Sequence, residues 1–219
     1  MGIEIDLMKN YPKSNRDLAK RAQTKTDEQR SIAREFGQDF FDGDRAVGYG
    51  GFHYNPRFWK PVIPTFREFY NIQPGQKILD VGCAKGFMLK DFKDEIQGIH
   101  VRGVDISSYA INNAHQEVKE YVSVEDARSL PFPDNSFDLV ISITTVHNFE
   151  RQECIQALQE IQRVSKGNSF ITVDAYRTSE EKDRMLKWNL TAKTILHVDD
   201  WKLLFQEAGY KGDYYWFMP

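Results

Sequence analysis

The sequence predicts a doubly wound α/β fold, a mostly parallel sheet of six or seven strands with an N-terminal helical and loop extension. Three observations predict it. Short apolar runs recur along the chain: KILDV (77–81), VRGVDI (101–106), YVSVE (121–125), FDLVISI (137–143), SFITVDAY (169–176) and the final DYYWFMP. They are apolar at successive positions, as strands buried on both faces are. Stretches with helical periodicity separate most of them, which is the pattern of a parallel sheet carrying helices on both sides.

Each element has its own local reason. Residues 14–35 are polar around almost every face and read as a solvated helix or arm. The 42–59 stretch packs Gly48, Gly50 and Gly51 among aromatics and reads as a shaped loop. PTFREFYNI carries Phe66, Phe69 and Tyr70 at helical spacing, with Pro64 suited to a first turn. Pro74-Gly75 is a turn before the first strand. GFMLKDFKDEI (86–96) places Met88, Leu89, Phe92 and Ile96 on one side of a helix. SSYAINNAHQEVKEY opens on serines able to cap a helix through Val118. The helix through Ile155, Leu158, Ile161 and Val164 closes at Gly167. Two more helical stretches follow, near 180–193 and 198–208.

Composition narrows the function classes. The 219 residues carry 29 basic and 32 acidic side chains, a net charge of −3, so no broad basic field invites nucleic acid. Two cysteines, Cys83 and Cys154, make no disulfide framework, and no His, Cys or carboxylate cluster has metal-ligand spacing. The N-terminus lacks an apolar signal core and no run is long enough to span a bilayer, so a cytoplasmic protein is expected.

The chemistry concentrates after the first strand. Asp80-Val-Gly82-Cys83-Ala84-Lys-Gly86 is a strand running into a turn of small residues that opens a helix. Such a turn lets the backbone approach a ligand and offers it free N–H groups. Asp105 ends the second strand, where a carboxylate can accept both hydroxyls of a ribose. Asp126 follows the third strand, within reach of an adenine amino group. A nicotinamide fingerprint would need glycines at 84 and 87, where the chain has Ala84 and Phe87. Asp138, at the far end of its strand, reads as a cap or surface charge.

Together Asp80-x-Gly82-x-Ala84-x-Gly86, Asp105, Glu125-Asp126-Ala127 and LPFPDNSFDLVIS resemble the sequential motifs of Rossmann-like class I S-adenosylmethionine-dependent methyltransferases, of methyltransferase type 11-like pattern. The resemblance covers roughly residues 65–175. It implies that Asp80, Gly82, Cys83, Ala84 and Gly86 border the methionine part of S-adenosyl-L-methionine. Asp105 with Ile106 would hold the ribose, Asp126 with Ala127 would face the adenine, and Tyr49 would close on the cofactor from upstream. The middle glycine of the usual turn is Ala84, whose methyl group fits if the backbone angles are ordinary. The family commonly has two strands after its last helix. This chain shows one, so the sheet has six strands or the N-terminal region covers its open edge.

Residues 1–60 are expected to form a helical arm and an aromatic, glycine-rich lid, and residues 61–219 the catalytic domain. For the acceptor, His147 after the fourth strand has the pKa range of a base, or else caps or packs. Arg45, Tyr54, Arg57 and Trp59 of the lid, Arg177 after the fifth strand, and Asn189 and His197 beyond it are the candidate acceptor contacts. The function expected is metal-free methylation of a small molecule or glycan by in-line displacement, on oxygen first and nitrogen second. A methyltransferase-like protein that only binds is the rival of another class. The expected partners are the acceptor and a second copy of the chain in a homodimer, with no nucleic acid and no membrane.

Overall fold

The computed structural model describes residues 2–12, 26–44, 46–48 and 53–219. Among these, seven strands form one sheet: β1 (Lys77–Val81), β2 (His100–Asp105), β3 (Val122–Val124), β4 (Phe137–Ile143), β5 (Ser165–Tyr176), β6 (Leu196–His197) and β7 (Asp213–Phe217). The order is β3-β2-β1-β4-β5, with β6 and β7 both paired to β5 and every pairing parallel. The chain order reverses between β1 and β4. In doubly wound sheets that switch point, at the C-terminal rim, is where ligands bind.

The helices are α1 (Asp27–Arg34), α2 (Gln38–Asp42), α3 (Pro56–Trp59), α4 (Ile63–Tyr70), α5 (Phe87–Glu95), α6 (Ser108–Asn112), α7 (Arg151–Val164), α8 (Ser179–Trp188) and α9 (Val198–Ala208). Alternation along the strands sorts the core into two layers. Leu79, Val81, Val140, Ile171 and Val173 face α7 and α9, whereas Ile78, Leu139, Ile141 and Phe170 face α4 and α5. A third, smaller cluster joins Ala33, Phe40 and Phe41 of the N-terminal helices to Ala110 and Leu190.

Several elements differ from the sequence reading, each for a physical reason. The helix expected after β2 stops at Asn112. The His115 N–H donates to the Lys85 carbonyl instead of continuing the ladder, which draws this segment onto the glycine turn. The α7 helix does not end at Gly167 but passes directly into β5 at Ser165. The helix expected to 193 ends at Trp188. There the Asn189 side chain both donates to and accepts from the Ala192 backbone, closing a tight loop.

The open edge is covered from the N-terminus. Ile5 N–H donates to Tyr214 O and Tyr214 N–H to Ile3 O, so residues 3–5 lie parallel to β7. Leu7 is buried with Val62, Phe66 and Phe170. Residues 3–7 are therefore packed into the sheet edge and its core layer. Capping explains α1, where Thr26 and Gln29 form a reciprocal capping box. Residues 14–25 of the expected polar arm lie outside the described residues. No helix of the described residues is long and apolar enough to cross a membrane.

Candidate cofactor and acceptor site

The turn after β1 is built against its neighbours. Gly82 and Cys83 N–H groups both bond to Val104 O, clamping the turn onto β2. Gly82 has φ +86°, and a Cβ there would lie 2.0 Å from Thr145 Oγ1, so the loop after β4 comes in against bare backbone. Ala84 also sits in the left-handed region, at φ 51°. The sequence reading allowed its methyl group on the condition of ordinary backbone angles, and the angles are not ordinary. Left-handed backbone costs an L-residue roughly 1–2 kcal/mol, and glycine returns part of that in unfolded-chain entropy. Ala84→Gly is expected to stabilise the protein by about 0.5–1 kcal/mol, a rise of about 1–4 °C in melting temperature. Scanning calorimetry checks it, and a fall in melting temperature refutes it.

The acidic residues take distinct roles. Asp105 accepts the Ala84 N–H at 2.8 Å through one oxygen and the Ser107 N–H at 2.9 Å through the other. It thus ties the glycine turn to the start of α6 while each oxygen keeps a lone pair for a hydroxyl. Ile106 beside it is exposed. Asp80 is 5% exposed and receives no hydrogen bond among the described residues. Burial, with the Asp105 charge adding, pushes its carboxyl up to about 7. The Cys83 thiol is buried, and burial raises its pKa too. Asp126 is engaged by its own neighbour: Arg128 Nε and Nη2 bond to its carboxylate at 2.9 and 2.6 Å, and these bonds hold its pKa low. An adenine amino group would share Asp126 with that guanidinium. Ala127 is buried in the core layer beneath α7.

A cation is what this arrangement asks for. A carboxylate buried without a donor is costly unless a positive charge or donor meets it. S-adenosylmethionine carries an ammonium and a sulfonium, and its ribose presents the two hydroxyls that Asp105 can accept. Asp80, the Gly82–Gly86 turn, Asp105 and Ile106 therefore fit that cofactor. When bound, it supplies an activated methyl group. No group of three His, Cys, Asp or Glu side chains among the described residues is arranged as metal ligands.

The N-terminal helices roof this turn. Asp42 at the end of α2 accepts from Lys85 Nζ at 2.5 Å and from Tyr109 Oη at 2.7 Å. Ser107 Oγ donates to Phe36 O, and Arg34 donates to the carbonyls of Thr191 and Ala192. The roof thus reaches from α6 to the loop after α8. Its described contacts come from residues 33–42, upstream of the 42–59 segment expected to be the lid. Arg45 and Tyr49 lie outside the described residues.

Most of the expected acceptor contacts hold other parts of the fold. Tyr54 donates to Asp91 at 2.5 Å and stacks edgewise on Phe87 and His115. Arg57 lies over Phe58, and Trp59 packs on Tyr11. Arg177 pairs with Glu4 at 2.5 Å, which anchors the N-terminal edge segment. Asn189 closes its loop. His197 caps α9 through Nδ1 and contacts Arg177 O through Nε2. Asp138 accepts from Lys77 N–H and pairs with Lys166, the surface role expected of it.

His147 is buried, and its Nδ1 accepts the Asp174 backbone N–H at 2.8 Å. Its own carbonyl accepts from Lys193 and Thr194. Burial lowers its pKa, so the ring is neutral. With Nδ1 used as an acceptor, the ring proton resides on Nε2, where the ring can donate but not take a proton. The sequence reading missed Asp174, although an acid at an otherwise apolar strand position in FITVDAY is a visible signal. Hollows lined by Lys77, His100, Arg102 and Phe137 form at the opposite rim of the sheet. The glycine turn, Asp80, Asp105 and Asp174 lie instead at the C-terminal rim, where doubly wound sheets bind ligands.

A profile described as a methyltransferase domain matches residues 79–173, from β1 to β5. The match spans less than half of the chain and shows that this segment is similar to a methyltransferase domain. It is 35% identical over 134 residues to a probable tRNA methyltransferase 9B of Bos taurus, covering 58% of this chain and 28% of that protein. It is 31% identical over 116 residues to phosphoethanolamine N-methyltransferase 2 of Caenorhabditis elegans, covering 50% and 24%. The chain therefore spans about a quarter of the length of these curated relatives. A crystal structure of a SAM-dependent methyltransferase from Archaeoglobus fulgidus shares the fold, with TM-score 0.53 and 22% identity over 80% of this chain and 72% of that one.

Proposed function

We propose that the protein transfers a methyl group from S-adenosylmethionine to a hydroxyl of a small molecule or glycan by in-line displacement. The observation that carries the reading is Asp80, buried without a donor at the mouth of a clamped glycine turn, beside an Asp105 with acceptor capacity to spare. Asp80 meets positive charge there, Asp105 orients the ribose, and the roof from α1 and α2 excludes water. Holding the two reactants in line is then the main work of the site. The net charge of −3 supports a small acceptor over a nucleic acid, although one relative is named for tRNA.

An amine acceptor is the second reading. One relative is named for an amine, and the Trp188–Phe217 ring pair, 5.7 Å apart, adjoins the buried Asp174, a setting that suits an ammonium group.

The test is calorimetric titration with S-adenosylmethionine from pH 6 to pH 8. Asp80 keeps its proton up to about pH 7 in the cofactor-free protein, and only its ionised form pairs with the cofactor's charge. Affinity should therefore be weak below pH 7 and rise about tenfold between pH 6 and pH 8, with proton release on binding. No binding, or an affinity flat with pH, would overturn the reading.

A further inference from the structure

We propose that Asp174 is the catalytic residue that receives the acceptor's proton, with His147 and Trp201 as the residues that position it. The inference rests on the methyl-transfer reading above and deepens it. Asp174 is held on both sides of its backbone by side chains from other elements. Its N–H donates to His147 Nδ1 at 2.8 Å, and its carbonyl accepts from Trp201 Nε1 at 2.9 Å. Its carboxylate is treated in the opposite way. The side chain is 9% exposed, and no hydrogen bond reaches it among the described residues. His147 Nδ1 lies 3.6 Å from it, but that nitrogen carries no proton in the neutral ring. A mostly buried carboxylate held this firmly and given no donor is costly without a purpose.

Its place in the sheet gives the purpose. Ile171, Val173 and Ala175 point to the α7/α9 layer, so Asp174 points to the other face, the one that also carries Asp80. It stands at the C-terminal end of β5, in register with Phe217, on the same rim as the switch point and one strand away from it. The groups on packed elements that bear charge are otherwise engaged. Arg177 pairs with Glu4, Glu181 accepts from the Arg177 and Thr178 N–H groups, and His197 caps α9. Burial raises the Asp174 pKa and neutral His147 is its near neighbour, so the carboxylate suits a base. In the transfer the acceptor oxygen bonds to the methyl carbon, the carbon–sulfur bond breaks with its electron pair on sulfur, and the O–H proton passes to Asp174. A positive sulfonium and a negative carboxylate both become neutral, which a water-poor site favours.

The test compares wild type, Asp174→Asn, His147→Asn and His147→Ala in the full chain. S-adenosylhomocysteine affinity by calorimetry should stay within about twofold in Asp174→Asn, since the cofactor acids are untouched. Failure of the wild type to bind it would sink the functional reading and not this assignment. Melting at pH 5 to 8 should show Asp174→Asn at or above wild type, with the gap widening as pH rises and the buried wild-type carboxylate ionises. Phenol and 4-nitrophenol serve as probe acceptors. Asp174→Asn should lose phenol methylation by about a hundredfold or more, yet keep 4-nitrophenol methylation at a pH where that probe ionises unaided. His147→Asn, which keeps an acceptor near the Nδ1 position, should retain the wild-type pH profile, whereas His147→Ala should not. Wild-type phenol turnover in Asp174→Asn overturns the proposal. So does a melting temperature several degrees below wild type at pH 8, which decides the matter even if neither phenol is accepted.

Discussion

Asp105→Ala is expected to weaken S-adenosylmethionine binding by about ten- to a hundredfold, a loss of about 1.5–3 kcal/mol. Two effects combine in that loss. The ribose hydroxyls lose an ionised acceptor, and the Ala84 and Ser107 N–H groups lose the carboxylate that joins the glycine turn to α6. Asp105→Asn separates them, because an amide presents one oxygen and can satisfy only one of the two backbone donors. It should fall between wild type and alanine in affinity. Calorimetric titration of the three proteins decides. An unchanged dissociation constant in a folded Asp105→Ala protein removes Asp105 from the ribose.

Gly82→Ala is expected to be strongly destabilising. The added Cβ would fall 2.0 Å from Thr145 Oγ1 and 2.7 Å from Thr145 Cβ, at φ +86°. Thr145 cannot swing clear as a long side chain would, so the turn or the loop after β4 must move. Strain and overpacking together cost about 2–4 kcal/mol, or about 5–15 °C in melting temperature, and cofactor affinity falls with the displaced turn. Adding Thr145→Gly removes the clash but not the unfavourable φ, so the double variant should recover part of the loss. Thermal melts of the four proteins close the cycle. Full recovery would show that only the contact mattered, and no loss in Gly82→Ala would show that the loops are not packed as described.

The contrast between these two residues and the rest of the site explains what could be read in advance. Gly82 and Asp105 lie at strand ends, and their positions follow from a strand, a tight turn and a helix adjacent in sequence. The strands at 77–81 and 137–143 and the helix at 198–208 have the boundaries their apolar patterns indicated. Local periodicity carries such information because it reflects which faces are buried. The acceptor side was less legible. Tyr54, Arg177, Asn189 and His197 have the chemistry of ligand contacts, but each is already engaged, Tyr54 and Arg177 by the distant Asp91 and Glu4, and Asn189 and His197 by the Ala192 loop and the start of α9 close by in sequence. Nothing in the local sequence distinguishes a side chain waiting for a ligand from one already paired.

His147 and Asp174 show the division most sharply. The sequence alone established a doubly wound sheet, the order of its motifs, and the acids at the ends of β1 and β2, because each of these is set by neighbours a few residues apart. It also offered His147, after β4, as a base or as a residue that caps or packs. Only the tertiary structure decided which of its nitrogens is occupied, since that depends on an N–H belonging to a strand 27 residues further along the chain. The same holds for Asp174, whose backbone is fixed by Trp201 and whose carboxylate is left without a donor. It holds as well for the sheet edge, which residues 3–5 cover by pairing with Tyr214. Burial and hydrogen-bond occupancy are properties of packed surfaces, and those surfaces exist only when segments remote in sequence come together.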